Sequence, residues 1–379
     1  MWKEHLCIVM AIEHYNPLGQ IRSLGEAGVH PVYIAIKGRA KIASASKYIS
    51  KCHYVDTVEE GYKVLLEEYG DIAQKTGFKP YLFCSDDKDV GYLDEHYDEL
   101  KDKFIFFNAG AKGRINFYMD KNNILELARK HGLNTLEARV CKKGELPQGL
   151  AYPVITKSIS PNVGGWKSDV NICYSEEELL EAYKNIEAPT VLVQHYIEKK
   201  NEYCIEGFAA NKGRDVLLAI ASTYNYLLPD YYSPLMTVRN MNEEGIRKSL
   251  ERMFAEIGFE GVFEVEFLID HDGTYYFGEI NFRNSTWSYA ATKAGMPLPV
   301  LWAETMENGV MRSDVRKEID ADGFTGMVEP IDYAKRVKTG KIDKAQWFIE
   351  FKEAKCCYYF SDEDVEPWRI CVENWDNLG

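Results

Sequence analysis

Phe263-Glu264-Val265-Glu266-Phe267-Leu268-Ile269-Asp270-His271-Asp272-Gly273-Thr274-Tyr275-Tyr276-Phe277-Gly278-Glu279-Ile280-Asn281-Phe282-Arg283 is the stretch on which the reading of this 379-residue chain turns. Two apolar-rich runs flank Asp272-Gly273, a strong hairpin signal because both central residues of a type I′ turn need φ > 0. With those two residues as the loop, His271 pairs with Thr274, so Glu266 faces Glu279 and Glu264 faces Asn281. Side chains alternate with a period of two, which puts Glu279, Asn281 and Arg283 on one face and Ile280 and Phe282 on the other. Carboxylates directly opposed on neighbouring strands are destabilising and ask for a cation between them. Oxygen donors alone suit Mg²⁺, which takes one or two carboxylates and completes its octahedron with phosphate and water. The competing reading is a solvated acidic sheet face. It fits less well, because Asn281 and Arg283 share that face among apolar neighbours.

Upstream, Tyr152-Pro153-Val154-Ile155-Thr156-Lys157 reads as a strand ending in a lysine, followed by the small and polar segment Ser158 to Ser168. Gly164 and Gly165 in that segment let backbone N–H groups approach phosphate oxygens, and Lys167 adds charge. Taken alone, Lys157 reads first as an ordinary surface lysine. Met119-Asp120-Lys121 opens a helix that ends at His131 before Gly132. Ser175-Glu176-Glu177-Glu178 is a capping-box signature for a helix reaching Asn185, and Val191 to Gln194 is a further strand. A helix from Asn242 to Ile257 ends at Gly258.

The first hundred residues alternate strand and helix signals: Leu6 to Ile12, a helix over Leu18 to Ala27, Val32 to Ile36, a helix over Val58 to Tyr69, and Tyr81 to Cys84 opening onto Ser85, Asp86 and Asp87. A parallel, Rossmann-like sheet is expected. The loop after the first strand, His14-Tyr15-Asn16-Pro17-Leu18-Gly19, lacks the G-x-G-x-x-G of dinucleotide binding, and no G-x-x-x-x-G-K-[ST] occurs.

Composition bounds the rest. Hydrophobic residues make up 46% and charged residues 27%, as in folded domains, and 45 basic against 59 acidic side chains leave a net charge of −14. Such a chain repels nucleic acid, so any anionic ligand must be met by a few local cations. No apolar run approaches the roughly 20 residues of a membrane span. Nine scattered cysteines without a C-x-x-C pair indicate neither a disulfide framework nor a zinc site, which favours a reducing cytoplasm. Asn284-Ser285-Thr286 matches a glycosylation sequon without a secretory context, and Arg239 and the aromatic segment Tyr224 to Tyr232 either line a substrate pocket or form a packed loop.

Over about residues 1–310 the chain resembles the ATP-grasp superfamily of carboxylate-amine or carboxylate-thiol ligases. It is most similar there to the predicted carboxylate-amine ligases grouped with D-aspartate ligase. The resemblance rests on the hairpin, on Gly19-Gln20-Ile21-Arg22-Ser23-Leu24-Gly25, Ser85-Asp86-Asp87 and Met119-Asp120-Lys121, and on a tail with Trp347 and Asp364-Val365-Glu366-Pro367. It implies an α/β (α+β) ATP-grasp fold: a Rossmann-like domain over 1–113, an ATP-grasp domain over 114–310 with small (114–194) and large (195–310) lobes, and a C-terminal extension over 311–379. It further implies that Lys121 and Lys157 contact ATP phosphates and that 158–168, with Gly164 and Gly165, is a mobile phosphate loop. In the same way Gln194, His195 and Ile197 would hold adenine, Glu202 the ribose, and Glu266, Glu279 and Asn281 Mg²⁺, with Mn²⁺ as an alternative. Arg283 and Lys157 would serve catalysis, Arg283 on the transferred phosphate or the carboxylate substrate. Glu264 stands where D-alanine:D-alanine ligases carry arginine, which argues against that specificity. The implied activity joins a small-molecule carboxylate, an amino acid such as D-aspartate, to an amine of an amino acid or peptide through an acyl phosphate. Carboxylation, acyl-thiol formation and non-catalytic nucleotide sensing are the alternatives, and a homodimer is compatible with all of them.

Overall fold

The protein is described here by a computed structural model covering residues 2–160, 169–228 and 232–375. Strands β1 (Cys7–Ile12), β2 (Val32–Ile36), β3 (Lys51–Val55), β4 (Tyr81–Cys84) and β5 (Ile105–Phe106) form an all-parallel sheet in the order β3-β2-β1-β4-β5. β1, β2 and β4 are buried apolar runs, as expected of strands covered on both faces. β3 reads Lys-Cys-His-Tyr-Val and lies at the sheet edge, where polar side chains are tolerated; its sequence carries no alternation to announce it. The order reverses between β1 and β4, which puts a crevice at their carboxyl ends, beside Glu13, His14, Ser85, Asp86 and Asp87.

β6 (Ala138–Lys142), β7 (Val154–Ser158), β8 (Ile172–Cys173) and β9 (Thr190–His195) make a separate antiparallel sheet in the order β6-β9-β7-β8. The helix Glu176–Asn185 packs on it, started by Ser175, whose hydroxyl accepts from the Glu178 N–H at 3.3 Å. β10 (Asn201–Ala210), β11 (Asp215–Tyr224), β12 (Leu235–Arg239), β13 (Gly261–Ile269), β14 (Tyr275–Asn281), β15 (Phe324–Met327) and β16 (Cys356–Cys357) form the third sheet, ordered β14-β13-β10-β11-β12-β15-β16. The C-terminal segment thus extends the sheet that carries the hairpin.

The hairpin corrects one expectation and keeps its consequence. Its loop is longer than two residues: Asp270 Oδ1 accepts from the N–H groups of Asp272 (2.9 Å) and Thr274 (2.8 Å), and the Asp270 N–H reaches the Thr274 carbonyl. The pair His271–Thr274 is therefore not formed, and the first ladder pairs are Ile269 with Tyr275, Leu268 with Tyr276 and Phe267 with Phe277. A bulge then takes up Gly278, and beyond it Glu266 faces Glu279 and Glu264 faces Asn281. A Cβ at Gly278 would stand 3.1 Å from the Glu266 carbonyl, so glycine suits the bulge.

The tail is fastened to the first domain by buried charge. Arg22, fully buried in the helix Tyr15–Glu26, donates to Asp364 Oδ2 (2.9 Å) and to the carbonyls of Tyr358 (3.3 Å), Tyr359 (2.9 Å) and Asp364 (2.9 Å). Asp364 also accepts from Ser46 Oγ and the Lys47 N–H, and buried Glu329 accepts from the N–H groups of Tyr358, Tyr359 and Phe360. Removing one partner of a buried pair leaves an uncompensated charge, typically at a cost of about 3–5 kcal/mol. Asp364→Ala should lower unfolding stability by about that amount in urea titrations; a loss below about 1 kcal/mol would show that the network is not what secures the tail.

Candidate active site

The ladder β14-β13-β10 turns one face toward the first domain. Across it Asn281, Glu264 and Glu206 form one row, and Glu279, Glu266 and Cys204 the next, with Glu202 one step further along β10. Five glutamates therefore share one face. Glu206 went unrecognised in the sequence because it lies on β10, outside the hairpin. It is fully buried and accepts from Ser285 Oγ (2.7 Å) and Ser288 Oγ (2.6 Å). The only sequence signal for it was Ser285, read there as part of a sequon. Burial pushes the Glu206 carboxyl up to about 7, against the pull of the two hydroxyls. Glu264 and Glu266 are also held well above the usual carboxylate range, by burial first and then by neighbouring glutamates.

Three cations answer this charge from different places. Lys121 opens the helix Lys121–Lys130, whose N-cap Asp120 accepts from the Asn122 and Asn123 N–H groups, and its ammonium pairs with Glu279. Lys121 thereby holds the Glu279 carboxyl below its usual range, although burial opposes the shift. The Lys121 N–H also donates to the Ile159 carbonyl at 2.8 Å, just past the end of β7. Lys157 on β7 donates to Gln194 Oε1 on β9 at 3.0 Å. Desolvation by the cleft walls, and then the Lys121 charge, push its ammonium down to about 8. Arg283 bridges Asp87 of the first domain through Nε (2.7 Å) and a terminal nitrogen (3.1 Å), and reaches Asn281 Oδ1 at 3.1 Å.

Among the described residues no three His, Cys, Asp or Glu side chains converge as a ready-made metal cage. Glu266 and Glu279 nevertheless offer two facing carboxylates, and Glu266 makes no ion pair among the described residues, since Lys121 pairs with Glu279. That is a donor set a divalent cation fits. Asn281 Nδ2 donates to Glu264 and Glu266, at 3.0 Å each, so ligation by Asn281 requires a half-turn of its amide to present Oδ1. The residues expected around adenine lie together at the end of β9. Gln194 is buried, His195 Nδ1 lies 3.2 Å from the Ala151 carbonyl, and neither backbone group of Ile197 makes a hydrogen bond among the described residues. Glu202 pairs with Lys199. Gly164, Gly165 and Lys167 lie outside the described residues. The strand before them is pinned to the residue after them: Thr156 Oγ1 donates to the Asp169 carbonyl (2.7 Å) and Ser158 Oγ to Asp169 Oδ2 (3.1 Å).

Arg239 is a correction. It pairs with Ala221, whereas Ser222 opposes Cys204, so alternation places Arg239 on the sheet face away from the glutamates. Of the aromatic segment, Tyr224 and Tyr232 pack edge-on against Trp287, Tyr226 donates to Asp332 at 2.7 Å, and 229–231 lie outside the described residues.

Residues 120–304, which include every side chain of this cluster from Lys121 to Arg283, match the family described as carbamoyl-phosphate synthase L chain, ATP binding domain. The chain shares the fold of its ATP-grasp structural neighbours. In sequence it is 26% identical over 134 residues to N5-carboxyaminoimidazole ribonucleotide synthase of Staphylococcus epidermidis. That match takes in 35% of this chain and 34% of the relative, so about a third of the relative's length is spanned. In structure it is similar to N5-carboxyaminoimidazole synthetase of Staphylococcus aureus complexed with ADP (TM-score 0.64, 15% identity, 88% of this chain and 85% of that one). It is also similar to L-amino acid ligase of Bacillus licheniformis (TM-score 0.59, 14% identity, 81% and 77%). At these identities the structural likeness concerns the ATP-grasp fold. No helix among the described residues is long and apolar enough to cross a membrane.

Lys157 generates a pH prediction. Free, its ammonium is lost as pH rises through about 8; phosphate beside it favours the charged form. Nucleotide binding at about pH 8.5 should therefore take up protons, an uptake that fades toward about pH 7 and is absent in Lys157→Ala, whose ATP affinity falls at least about tenfold. Calorimetry in buffers of different ionisation enthalpy reads this directly; equal proton uptake in the variant would assign the titration elsewhere.

Proposed function

We propose that this protein is an ADP-forming carboxylate-amine ligase that activates a substrate carboxylate as an acyl phosphate and passes it to an amine. The observation that carries the reading is the meeting of Lys121, Lys157 and Arg283 with Glu266, Glu279 and Asn281 at one sheet face. Lys157 and Lys121 would hold the triphosphate, the free backbone groups at Ile197 would receive the adenine edge, and Glu202 would accept from the ribose hydroxyls. Mg²⁺, or Mn²⁺ in its place, held by Glu266, Glu279 and Asn281, would neutralise phosphate charge. Arg283, fixed by Asp87 and charged at every accessible pH, is placed to steady the oxyanion that develops when the amine attacks the acyl carbon. The carboxylate oxygen attacks the γ-phosphorus and ADP leaves. The amine then displaces phosphate and gives up a proton, so no covalent enzyme nucleophile is required. The likeness to L-amino acid ligase supports amino acids as substrates, and the resemblance to the D-aspartate ligase group makes D-aspartate the leading carboxylate.

A second reading, carboxylation of an amine, is favoured by the sequence match to a synthase whose product name denotes a carboxyamino group. Incubation with MgATP, single amino acids and hydroxylamine separates the two. Ligase chemistry should yield a hydroxamate, with D-aspartate first among the donors, and Glu279→Gln or Asn281→Ala should reduce it at least about a hundredfold at saturating Mg²⁺. ADP release that requires bicarbonate, with no hydroxamate from any amino acid, would select carboxylation instead.

A further inference from the structure

In the small sheet Gln194 stands in a row otherwise made of Ala138, Ile155 and Ile172. Paired residues share a face, and Lys157 shares it too, two residues further along β7 and across from Leu192. Gln194 is only 4% exposed, and its apolar row-mates offer it no hydrogen-bond partner. Its amide is half satisfied: Oε1 accepts from the Lys157 ammonium at 3.0 Å, while Nε2 makes no hydrogen bond among the described residues. The lysine decides which end of the amide is which. Below about pH 8 it is an ammonium, with three donors and no acceptor, so it holds the oxygen and turns the NH₂ group the other way. Lys157 stands one row back from Gln194, so that other way is forward along β9, toward the strand's exit at 196–197. There Ile197 keeps a free N–H and a free C=O. His195 takes no part. Alternation turns it to the opposite face, where its Nδ1 lies 3.2 Å from the Ala151 carbonyl.

Purines differ toward such groups at their 6-position. Adenine carries a donating amino group there, whereas hypoxanthine and guanine carry an accepting oxygen. The neighbouring N1 accepts in adenine and donates in a 6-oxopurine, and Ile197, with both backbone groups free, suits either base. The choice falls to Gln194. A 6-amino group would meet its NH₂ donor to donor and leave a buried donor unpaired, whereas a 6-oxo group completes it. Phosphate binding does not undo the arrangement, since an ammonium with three donors can serve Gln194 and a phosphate oxygen together. We propose that Gln194, oriented by Lys157, makes this base site one for a 6-oxopurine nucleoside triphosphate, taken at least as well as ATP. The proposal rests on the nucleotide site of the ligase reading, keeps its phosphate and metal contacts, and changes only the base that carries the triphosphate. Gln194 is then the residue that sets nucleotide specificity.

ITP isolates the point, because it differs from ATP only at the 6-position and in the N1 proton that goes with it. Calorimetric titration of ATP and of ITP, each with Mg²⁺, into the full chain at pH 7 should find ITP bound at least as tightly as ATP. Gln194→Glu replaces the donor by a second acceptor and should shift the ratio of the two affinities at least about tenfold toward ATP. Gln194→Met, of similar length and without the donor, should shift it the same way by at least about threefold, and it serves where a buried carboxylate prevents folding. A change in how Lys157 holds phosphate acts on both nucleotides alike and leaves the ratio unmoved. ATP bound more than about threefold tighter than ITP by the wild-type protein, or a ratio that neither variant changes, would overturn selection by Gln194 and leave the ligase reading standing. Binding of neither nucleotide would overturn the nucleotide site, and the ligase reading with it.

Discussion

Five glutamates on one sheet face, three of them with carboxyls pushed upward by burial and by one another, are a standing electrostatic demand that shapes the molecule around them. Water reaches Glu206 and Glu264 hardly at all and the others only in part, so much of their charge must be met by protons, by hydroxyls or by cations brought from elsewhere. Glu206 uses Ser285 and Ser288, Glu279 uses Lys121, and Asp87, on the opposing wall, takes Arg283. These partners come from the helix Lys121–Lys130, from the segment that follows β14 and, for Asp87, from the first residue of the helix after β4. The same contacts that settle the charge therefore set where the three parts of the chain meet.

That demand also explains why so few cations suffice for a nucleotide. A protein of net charge −14 offers a triphosphate little general attraction. On the proposed reading, Lys121 and Lys157 would act at short range in a largely desolvated cleft, where one ammonium is worth more than on the surface. Burial first, and then the charge of Lys121, lowers the Lys157 ammonium, and a phosphate bound beside it would oppose both.

Much of this was legible in the residues, for definable reasons. The buried strands β1, β2 and β4 announce themselves as apolar runs, and Glu266, Glu279 and Asn281 fall together by alternation alone. The expected facing of Glu266 and Glu279 survived an incorrect turn because two departures cancel: Asp270 builds a longer loop, and Gly278 restores the register one step before the carboxylates. Neither device has a signal strong enough to be read without knowing the other. Glu206 and β3 were missed because their places depend on neighbours distant in sequence. Arg239 was misplaced for the reason Glu279 was found, since one residue of register decides which face a side chain takes.

The hold of Arg22 on residues 358–364 has a further consequence for the order in which the chain acquires its structure. A guanidinium with no exposure sits inside the first helix of the first domain, and its partners are made more than 330 residues later. As the chain leaves the ribosome, the Rossmann-like sheet has its strands early, yet its first helix carries a charge that cannot be buried without cost until the tail arrives. The first sheet is thus synthesised before residues 358–364 and completed only with them, so segments more than 330 residues apart mature as one unit.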